Sequence, residues 1–354
     1  MNYATAARDT WRHHTLSIEG PGYETLVRYA TLAASSHNTQ PWQFTLEPDR
    51  ISILPDLLRR CPAVDPDDHH LYASLGCAAE NLLLAAEAAG LKGHYTYDAS
   101  ASRLQVDFEK GTPVTSPLFE AIPLRQCCRA EYDGTSLSGE QLHLLEDVGR
   151  GDGVSVMLLT DNKSKEQIAE YVAAGNTAQF ADTAWSDELK SWIRFNAKAA
   201  IQFGDGLYGP VMGNPDVPSW LGRLFMRLAF SANRQNRKDA RDIRSSAAIA
   251  VLSSDADDEP HWIESGRCHE RLALQATALG LRTALINQPV EVSALRPQLA
   301  SFLGIDNRRP DLVVRIGRGP SMPRSLRRPV TGVITRAQGQ VLKRSMVASS
   351  PVPD

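Results

Sequence analysis

Gly76-Cys77-Ala78-Ala79-Glu80-Asn81-Leu82-Leu83-Leu84-Ala85-Ala86-Glu87-Ala88-Ala89-Gly90-Leu91 is the stretch from which the fold is read. Apart from Glu80, Asn81 and Glu87 it is almost wholly apolar, and a helix of that composition has to be buried on most of its sides. Gly90 stands where an ending helix commonly takes a left-handed residue. The pattern returns 190 residues later, without a gap, as Gly266-Arg267-Cys268-His269-Glu270-Arg271-Leu272-Ala273-Leu274-Gln275-Ala276-Thr277-Ala278-Leu279-Gly280-Leu281. Eight of the 16 positions are identical: Gly76/Gly266, Glu80/Glu270, Leu82/Leu272, Leu84/Leu274, Ala86/Ala276, Ala88/Ala278, Gly90/Gly280 and Leu91/Leu281. Chance explains agreement at alanine and leucine more readily than at the glutamate and both glycines. We read an internal duplication. Small residues let the two copies approach closely, so they are expected to form the packed centre.

Outward from each copy the sequence reads as strand. Residues 42–47 and 50–54 precede the first copy, joined by Glu47-Pro48-Asp49, a hairpin signal. His94–Tyr97 and Leu104–Phe108 follow it. The second half offers Val154–Thr160, Ala247–Leu252 and Leu312–Ile316. Long helices with a few strands per half predict an α+β fold. At roughly 100–200 residues per domain, 354 residues allow two or three domains, or two fused similar units. A content of 42% hydrophobic and 22% charged residues is that of an ordinary globular protein. The net charge of -3 gives no reason to expect nucleic acid or an anionic membrane as partner. No secretory signal is read at the N-terminus, and no run reaches the ~18 apolar residues of a membrane span. Cys61, Cys77, Cys127, Cys128 and Cys268 are odd in number and form no CxxC pair. That speaks against a disulfide framework or a zinc site and for a reduced, cytoplasmic setting; no metal site is expected.

Before the first hairpin, residues 23–34 pattern as an amphipathic helix with Leu26, Tyr29, Ala30 and Ala33 on one face. Ala34-Ser35-Ser36-His37-Asn38-Thr39-Gln40-Pro41-Trp42 ends it, because short polar side chains compete for backbone groups and Pro41 disfavours helix at Gln40. The run is either an ordinary turn or a loop suited to wrapping a polar, planar ligand. His69-His70 reads as a solvated helix start, capped by Asp67 or Asp68, rather than as a ligand pair. Arg125 and Arg129 read by spacing as a solvated basic edge, and Ser138 caps a helix. Residues 161–240 are less regular and carry Trp185, Trp192 and Trp220. The part from 185 to 240 is either a lid over a site or a helical elaboration packed on the core. Arg234–Arg244 reads as a solvated helix face. Arg318, Arg324, Arg327 and Arg328 read as a basic tail, and Ser349–Asp354 is expected to be disordered.

The order Ser35-Ser36-His37-Asn38-Thr39-Gln40-Pro41-Trp42 resembles the Pro-Ser-Ser-x-Asn-x-Gln-Pro-Trp loop of the FMN-dependent nitroreductase family, in the version of its Acg-type branch. Ala34 departs from the usual proline. Arg125 to Arg129 is similar to the family's Arg-x-Ser-x-Arg/Lys start, with Cys127 in place of serine; a thiol is a weak donor. Asn287-Gln288-Pro289 matches a flavin-contacting turn of the Acg branch. The resemblance spans roughly residues 23–335. It implies a nitroreductase-like fold of two tandem related halves packed as an internal pseudo-dimer: an arm at 1–22, a first half at 23–118, a second half at 119–335 and a tail at 336–354. Each half holds only one part of the motif set, so it implies a single FMN site.

By the resemblance that site comprises Ser35, Ser36, His37, Asn38, Thr39, Gln40, Arg125, Gln126, Arg129, Asn287, Gln288 and Arg327. Arg125 and Arg327, the latter chosen among the four C-terminal arginines, would hold the phosphate. Arg129 would face the N1 and C2 carbonyl edge. His37 either reaches the substrate or fixes the loop. No acid, base or nucleophile is assigned, since the flavin would carry the chemistry. The implied activity passes hydride from NAD(P)H through FMN to a small acceptor such as a nitroaromatic or quinone. The alternative is an Acg-type protein that stores flavin or senses redox state under a lid. The implied assembly is a monomeric pseudo-dimer or a homodimer of it.

Overall fold

The computed structural model describes residues 2–14, 16 and 22–336. The Gly20-Pro21 end of the arm and the tail containing Ser349–Asp354 lie outside the described residues. α1 (Tyr3–Thr10) and α2 (Tyr23–Thr31) lead to the hairpin of β1 (Trp42–Glu47) and β2 (Arg50–Pro55). Then come α3 (His69–Ala88), β3 (Leu91–Asp98) and β4 (Arg103–Lys110). α2 stops at Thr31 rather than near Ala34, because Arg327 takes up the next carbonyls: its guanidinium donates to the oxygens of Thr31, Leu32 and Ala33.

The second half runs through α4 (Pro117–Ala121), α5 (Gly139–Val148) and β5 (Val154–Leu159). Ser138 caps α5 in a reciprocal box with Gln141. A long insertion follows: α6 (Asn162–Ala181), α7 (Thr183–Trp192), β6 (Ile193–Arg194), α8 (Ala197–Phe203), β7 (Leu207–Tyr208), α9 (Ser219–Ala229) and α10 (Ala232–Arg244). The half closes with β8 (Ala248–Ser254), α11 (Glu259–Ala278), β9 (Arg282–Leu285), α12 (Gln288–Glu291), α13 (Arg296–Leu303), β10 (Arg309–Gly317) and β11 (Ile334–Arg336).

The two main sheets have the orders β11-β1-β2-β4-β3 and β5-β8-β10-β9. Without β11, both are antiparallel throughout. α3 lies in the chain between β2 and β3, and α11 between β8 and β9. So β1-β2-α3-β3-β4 and β5-β8-α11-β9-β10 are one design used twice, and the fold is α+β. The halves differ in two connections: tight turns join β1 to β2 and β3 to β4, whereas residues 160–247 separate β5 from β8 and residues 286–308, with α12 and α13, separate β9 from β10. β11 lies parallel to β1, with Phe44 opposite Ile334, so the end of the second half completes the sheet of the first.

α3 and α11 cross at their matched glycines. A Cβ on Gly76 would lie 1.9 Å from the Ile263 carbonyl oxygen, and one on Gly266 would lie 1.9 Å from that of Ala73. The reciprocity is that of a local twofold axis. Gly90 and Gly280 end the two helices at φ 78° and 73°, a conformation that glycine takes without steric cost. The shared glutamates are both ion-paired: Glu80 with Arg267 and Arg271, Glu270 with Arg125. Among the described residues no helix is long and apolar enough to cross a membrane.

His69 and His70 are buried, not solvated. Asp65, rather than Asp67 or Asp68, caps α3: its carboxylate accepts from the backbone N–H of His70 and of Leu71 at 3.0 Å each. Asp67 turns to Arg296 and Arg309, and His69 Nε2 lies 3.4 Å from Asp311 of β10. These partners come from the other half, which local sequence does not show. Burial alone would raise the Asp65 carboxyl, but the hydrogen bond and charge of His70 outweigh it and hold it at about 2. Burial lowers His70, but the Asp65 hydrogen bond and the charges of Asp65 and Glu291 together outweigh it, for a net rise. The Asp65 contribution is therefore complete above the ordinary carboxylate range and fades as pH falls toward 2. The His70 contribution is complete below its ordinary value and fades as pH rises through its raised one. Asp65→Asn should cost about 2 kcal/mol at pH 5–6, and the difference from wild type should shrink on acidification; urea titrations at several pH values measure both.

Candidate functional site

A cavity of about 680 Å³ lies between the two central helices and the insertion. Ser35, Ser36 and His37 form one side, with His70, Ser74 and Cys77 of α3 and His269 of α11. Arg129, Asn287, Gln288 and Glu291 form another. The roof is the insertion: Phe180, Trp185, Phe195, Met212, Phe225 and Phe230 supply apolar surface, while Arg234, Gln235 and Lys238 of α10 supply polar groups. Residues of the 185–240 segment therefore line this cavity as well as packing on the core.

The loop is strained and heavily fixed. His37, Asn38 and Gln40 have φ of 48°, 54° and 54°, each costing on the order of 1–3 kcal/mol. Gln40 N–H donates to Ser35 Oγ at 3.1 Å. Gln40 Nε2 donates to the Gly204 carbonyl at 2.9 Å, and Gln40 Oε1 accepts from Arg328 N–H at 2.8 Å. Asn38 Nδ2 donates to the carbonyls of Gly206 and Leu326, and Asn38 Oδ1 accepts from Arg327 at 3.0 Å. The consequence is a division of labour. Ser35, Ser36 and His37 face the cavity, whereas Asn38, Thr39 and Gln40 are buried behind it; Asn38 and Gln40 hold the loop to the insertion and to the C-terminal segment, and the Thr39 carbonyl accepts from Arg59. Ser36 Oγ lies 3.3 Å from His37 Nδ1.

Of the second-half residues, Arg129, Asn287 and Gln288 reach the cavity; Arg125, Gln126 and Arg327 do not line it. The Arg129 side chain makes no hydrogen bond to another described residue, and its backbone is held firmly. Lys238 Nζ donates to the Arg129 carbonyl at 3.2 Å, and Arg315 donates to those of Cys128 and Ala130. Arg125 sits between the halves, with Nε 2.9 Å from Glu270 Oε1 off hydrogen-bond alignment, and donates to the Leu32 carbonyl at 2.8 Å. Gln126 donates to the Met322 and Pro323 carbonyls and accepts from Met322 N–H. Burial, with Arg125 nearby, pushes Arg327 down to about 9. Arg318, Arg324 and Arg328 also bond to the chain, so the basic segment is a strap and not a solvated tail.

Asn287 Nδ2 lies 3.1 Å from His70 Nε2, and Asn287 Oδ1 accepts from Val313 N–H at 2.9 Å. Gln288 Nε2 donates to Asn176 at 3.3 Å, while its Oε1 is buried with no hydrogen-bond partner. Burial, then Arg129 and His70, lowers His37 to about 4. Burial, then Arg125, lowers His269 to about 3. Both imidazoles are neutral at pH 7, so the permanent cations at the wall are Arg129, Arg234 and Lys238, the last ion-paired with Asp242 at 2.6 Å. Arg234 and Lys238 were legible only in part. Their i, i+4 spacing puts them on one helix face, but the stretch read as solvated because the cavity it lines is made by distant elements. The same applies to His70, Cys77 and His269.

No protein-family model matches the chain. A protein of Mycobacterium tuberculosis (strain H37Rv) with the provisional name NAD(P)H nitroreductase Rv3131 is 25% identical over 353 residues, 93% of this chain and 96% of that one. A second from the same strain, provisionally named NAD(P)H nitroreductase acg, is 24% identical over 323 residues, 87% of this chain and 93% of that one. Among solved structures, nitroreductase A from Vibrio parahaemolyticus aligns with a TM-score of 0.40 at 14% identity, over 65% of this chain and 79% of that chain. The FMN-dependent nitroreductase NfnB from Mycobacterium smegmatis, in complex with NADPH, aligns with a TM-score of 0.38 at 13% identity, over 64% and 98%. The likeness to the two mycobacterial proteins covers 93% and 87% of this chain. The chain is thus similar, over most of its length, to two mycobacterial proteins named as NAD(P)H nitroreductases, one of them acg, and it shares with the family's pattern the polar loop motif and an α+β fold.

Proposed function

We propose that the chain holds one FMN in this cavity and acts as an NAD(P)H-linked oxidoreductase. The observation that carries the reading is the convergence on one wall of parts from both halves: Ser35–His37, Arg129 and Asn287–Gln288. The donor set suits the group. Apolar roof surfaces match a flavin ring, the unpartnered Gln288 Oε1 offers a buried acceptor to a ring N–H, and Arg129 and Arg234 bring positive charge to the wall for an anionic group. When bound, FMN would supply the electron chemistry, from a reduced nicotinamide to a small acceptor such as a nitroaromatic or quinone.

The residues of the chain then have distinct tasks. Arg129, on a backbone fixed by Lys238 and Arg315, places positive charge at the ring's carbonyl edge. Arg234 is the cation available to the phosphate, while Lys238 is held by the Asp242 carboxylate at 2.6 Å and by the Arg129 carbonyl at 3.2 Å. Arg125 and Arg327, given that role by resemblance, are here assigned to the wall: one joins the halves, the other caps α2 and braces Asn38. His37, neutral and beside Ser36, orients the loop. Arg129→Gln should weaken FMN binding about tenfold, the loss of one charge-assisted hydrogen bond, in a fluorescence titration of the apoprotein.

A second reading, storage or redox sensing without turnover, is favoured by the insertion, because α6, α7, α9 and α10 all contribute side chains to the cavity wall. Anaerobic mixing of the flavin-loaded protein with NADH and NADPH separates them. Bleaching of the flavin bands supports the oxidoreductase. Reduction by dithionite with no response to either nicotinamide supports storage.

A further inference from the structure

One feature of the insertion serves neither the cavity nor the core. α9 packs through Gly222, the one residue of the helix that is buried, whose hydrogen faces the Phe195 ring; a Cβ there would lie 2.1 Å from Phe195 Cδ1. The inner face of α9 lines the cavity. Its outer face exposes Trp220, Leu224 and Leu228, with 67%, 43% and 75% of their surfaces in solvent. Their i, i+4, i+8 spacing makes one apolar stripe along the helix. Arg223 and Arg227 are also exposed.

We infer that this face is a docking surface for an anionic lipid bilayer, on which α9 lies flat. Three observations fix the occupant. The first is charge. The chain carries -3 overall, yet α9 itself holds Arg223 and Arg227 and no acidic residue, and Arg237 of α10 is exposed as well; Arg234 and Lys238 turn to the cavity instead. A basic stretch beside an apolar stripe matches the negative surface and the hydrocarbon edge of such a membrane. The second is the stripe's composition. Tryptophan with leucines is what an interfacial helix inserts at the headgroup level. The third is self-repulsion. A twofold pairing of α9 with α9 of a second copy would bring Arg223 and Arg227 of both together, with no carboxylate in the segment to neutralise them. The 11 residues of α9 are too few to span a bilayer, so the helix would lie on it and not across it. This surface stands independently of what fills the cavity.

Co-sedimentation of the full-length protein with vesicles tests the inference. Vesicles of phosphatidylcholine containing phosphatidylglycerol should bind it at least about tenfold more tightly than phosphatidylcholine alone, and the difference should fall as salt is raised. Leu224→Ser with Leu228→Ser, and separately Arg223→Gln with Arg227→Gln, should each weaken binding about tenfold with unchanged thermal unfolding, since all four side chains are exposed. Failure to bind phosphatidylglycerol vesicles would overturn the inference. So would binding that survives both double variants. So would a concentration-dependent dimer, seen by sedimentation equilibrium, that the leucine variants dissociate, because it would put a second copy on the stripe.

Discussion

Gly76→Ala is expected to destabilise the protein by at least about 3 kcal/mol, at the upper end for one added methyl group. The methyl would land 1.9 Å from the Ile263 carbonyl oxygen and 2.8 Å from its carbon. These are backbone atoms of α11, so no side chain can swing aside and the helices themselves must separate. Gly266→Ala meets the mirror-image obstacle, 1.9 Å from the Ala73 oxygen and 2.6 Å from its carbon. The two substitutions act on one interface. The double variant should therefore lose clearly less than the sum, because helices already forced apart by one methyl accommodate the other. Gly139→Ala is the control: a Cβ there meets nothing within 4 Å, and the expected change is within about 0.5 kcal/mol. Denaturant unfolding of the four variants measures the set. Additive losses at Gly76 and Gly266 would mean that the glycines do not share a crossing point.

Arg125→Met should cost about 3–5 kcal/mol, because it strands a buried carboxylate. Glu270 has no exposed surface. Burial already raises its carboxyl, and Arg125 is the main force opposing that rise. Without the guanidinium, the remaining contacts include the Ala34 N–H at 3.3 Å. The variant's Glu270 should then hold its proton to higher pH than in the wild type. An acid whose pKa is raised on folding favours the folded state at low pH, so the deficit of the variant should narrow as pH falls through the raised value. Adding Glu270→Gln should restore most of the loss. The pair also tests the division of labour at the site. If Arg125 served the phosphate instead, Arg125→Met would leave the apoprotein's stability intact and weaken only FMN binding.

Much of this arrangement was legible in the sequence. The repeat at Gly76 and Gly266 set the central helices, and the alternation around Trp42 and Leu104 set strands close to their observed ends. Each signal was local: a period, a cap, a small residue. What local patterns did not carry was the partner. His69 and His70 looked like a wet helix start because Asp311 and Asn287 lie more than 200 residues away. Arg125 looked like an anion site or a solvated edge because nothing near it shows that Glu270, a residue of the repeat itself, faces it. The basic run at Arg324–Arg328 looked like a tail because its acceptors are main-chain carbonyls, which every sequence possesses. Within the polar loop, the sequence did not show which side chains turn toward the cavity. The left-handed conformations at His37, Asn38 and Gln40 decide that, and the strap and the insertion impose them.

The number of flavins bound per chain bears on the single-site pseudo-dimer more directly than any substitution. The purified protein, saturated with FMN and freed of excess, is compared by flavin absorbance after denaturation with its protein concentration. One FMN per chain, with oxidised-flavin bands before denaturation, is the expected result. Two per chain would show that the second half-site is intact. A colourless protein that takes up no added FMN would contradict the proposal, and with it the roles given to Ser35, Ser36, Arg129 and Gln288.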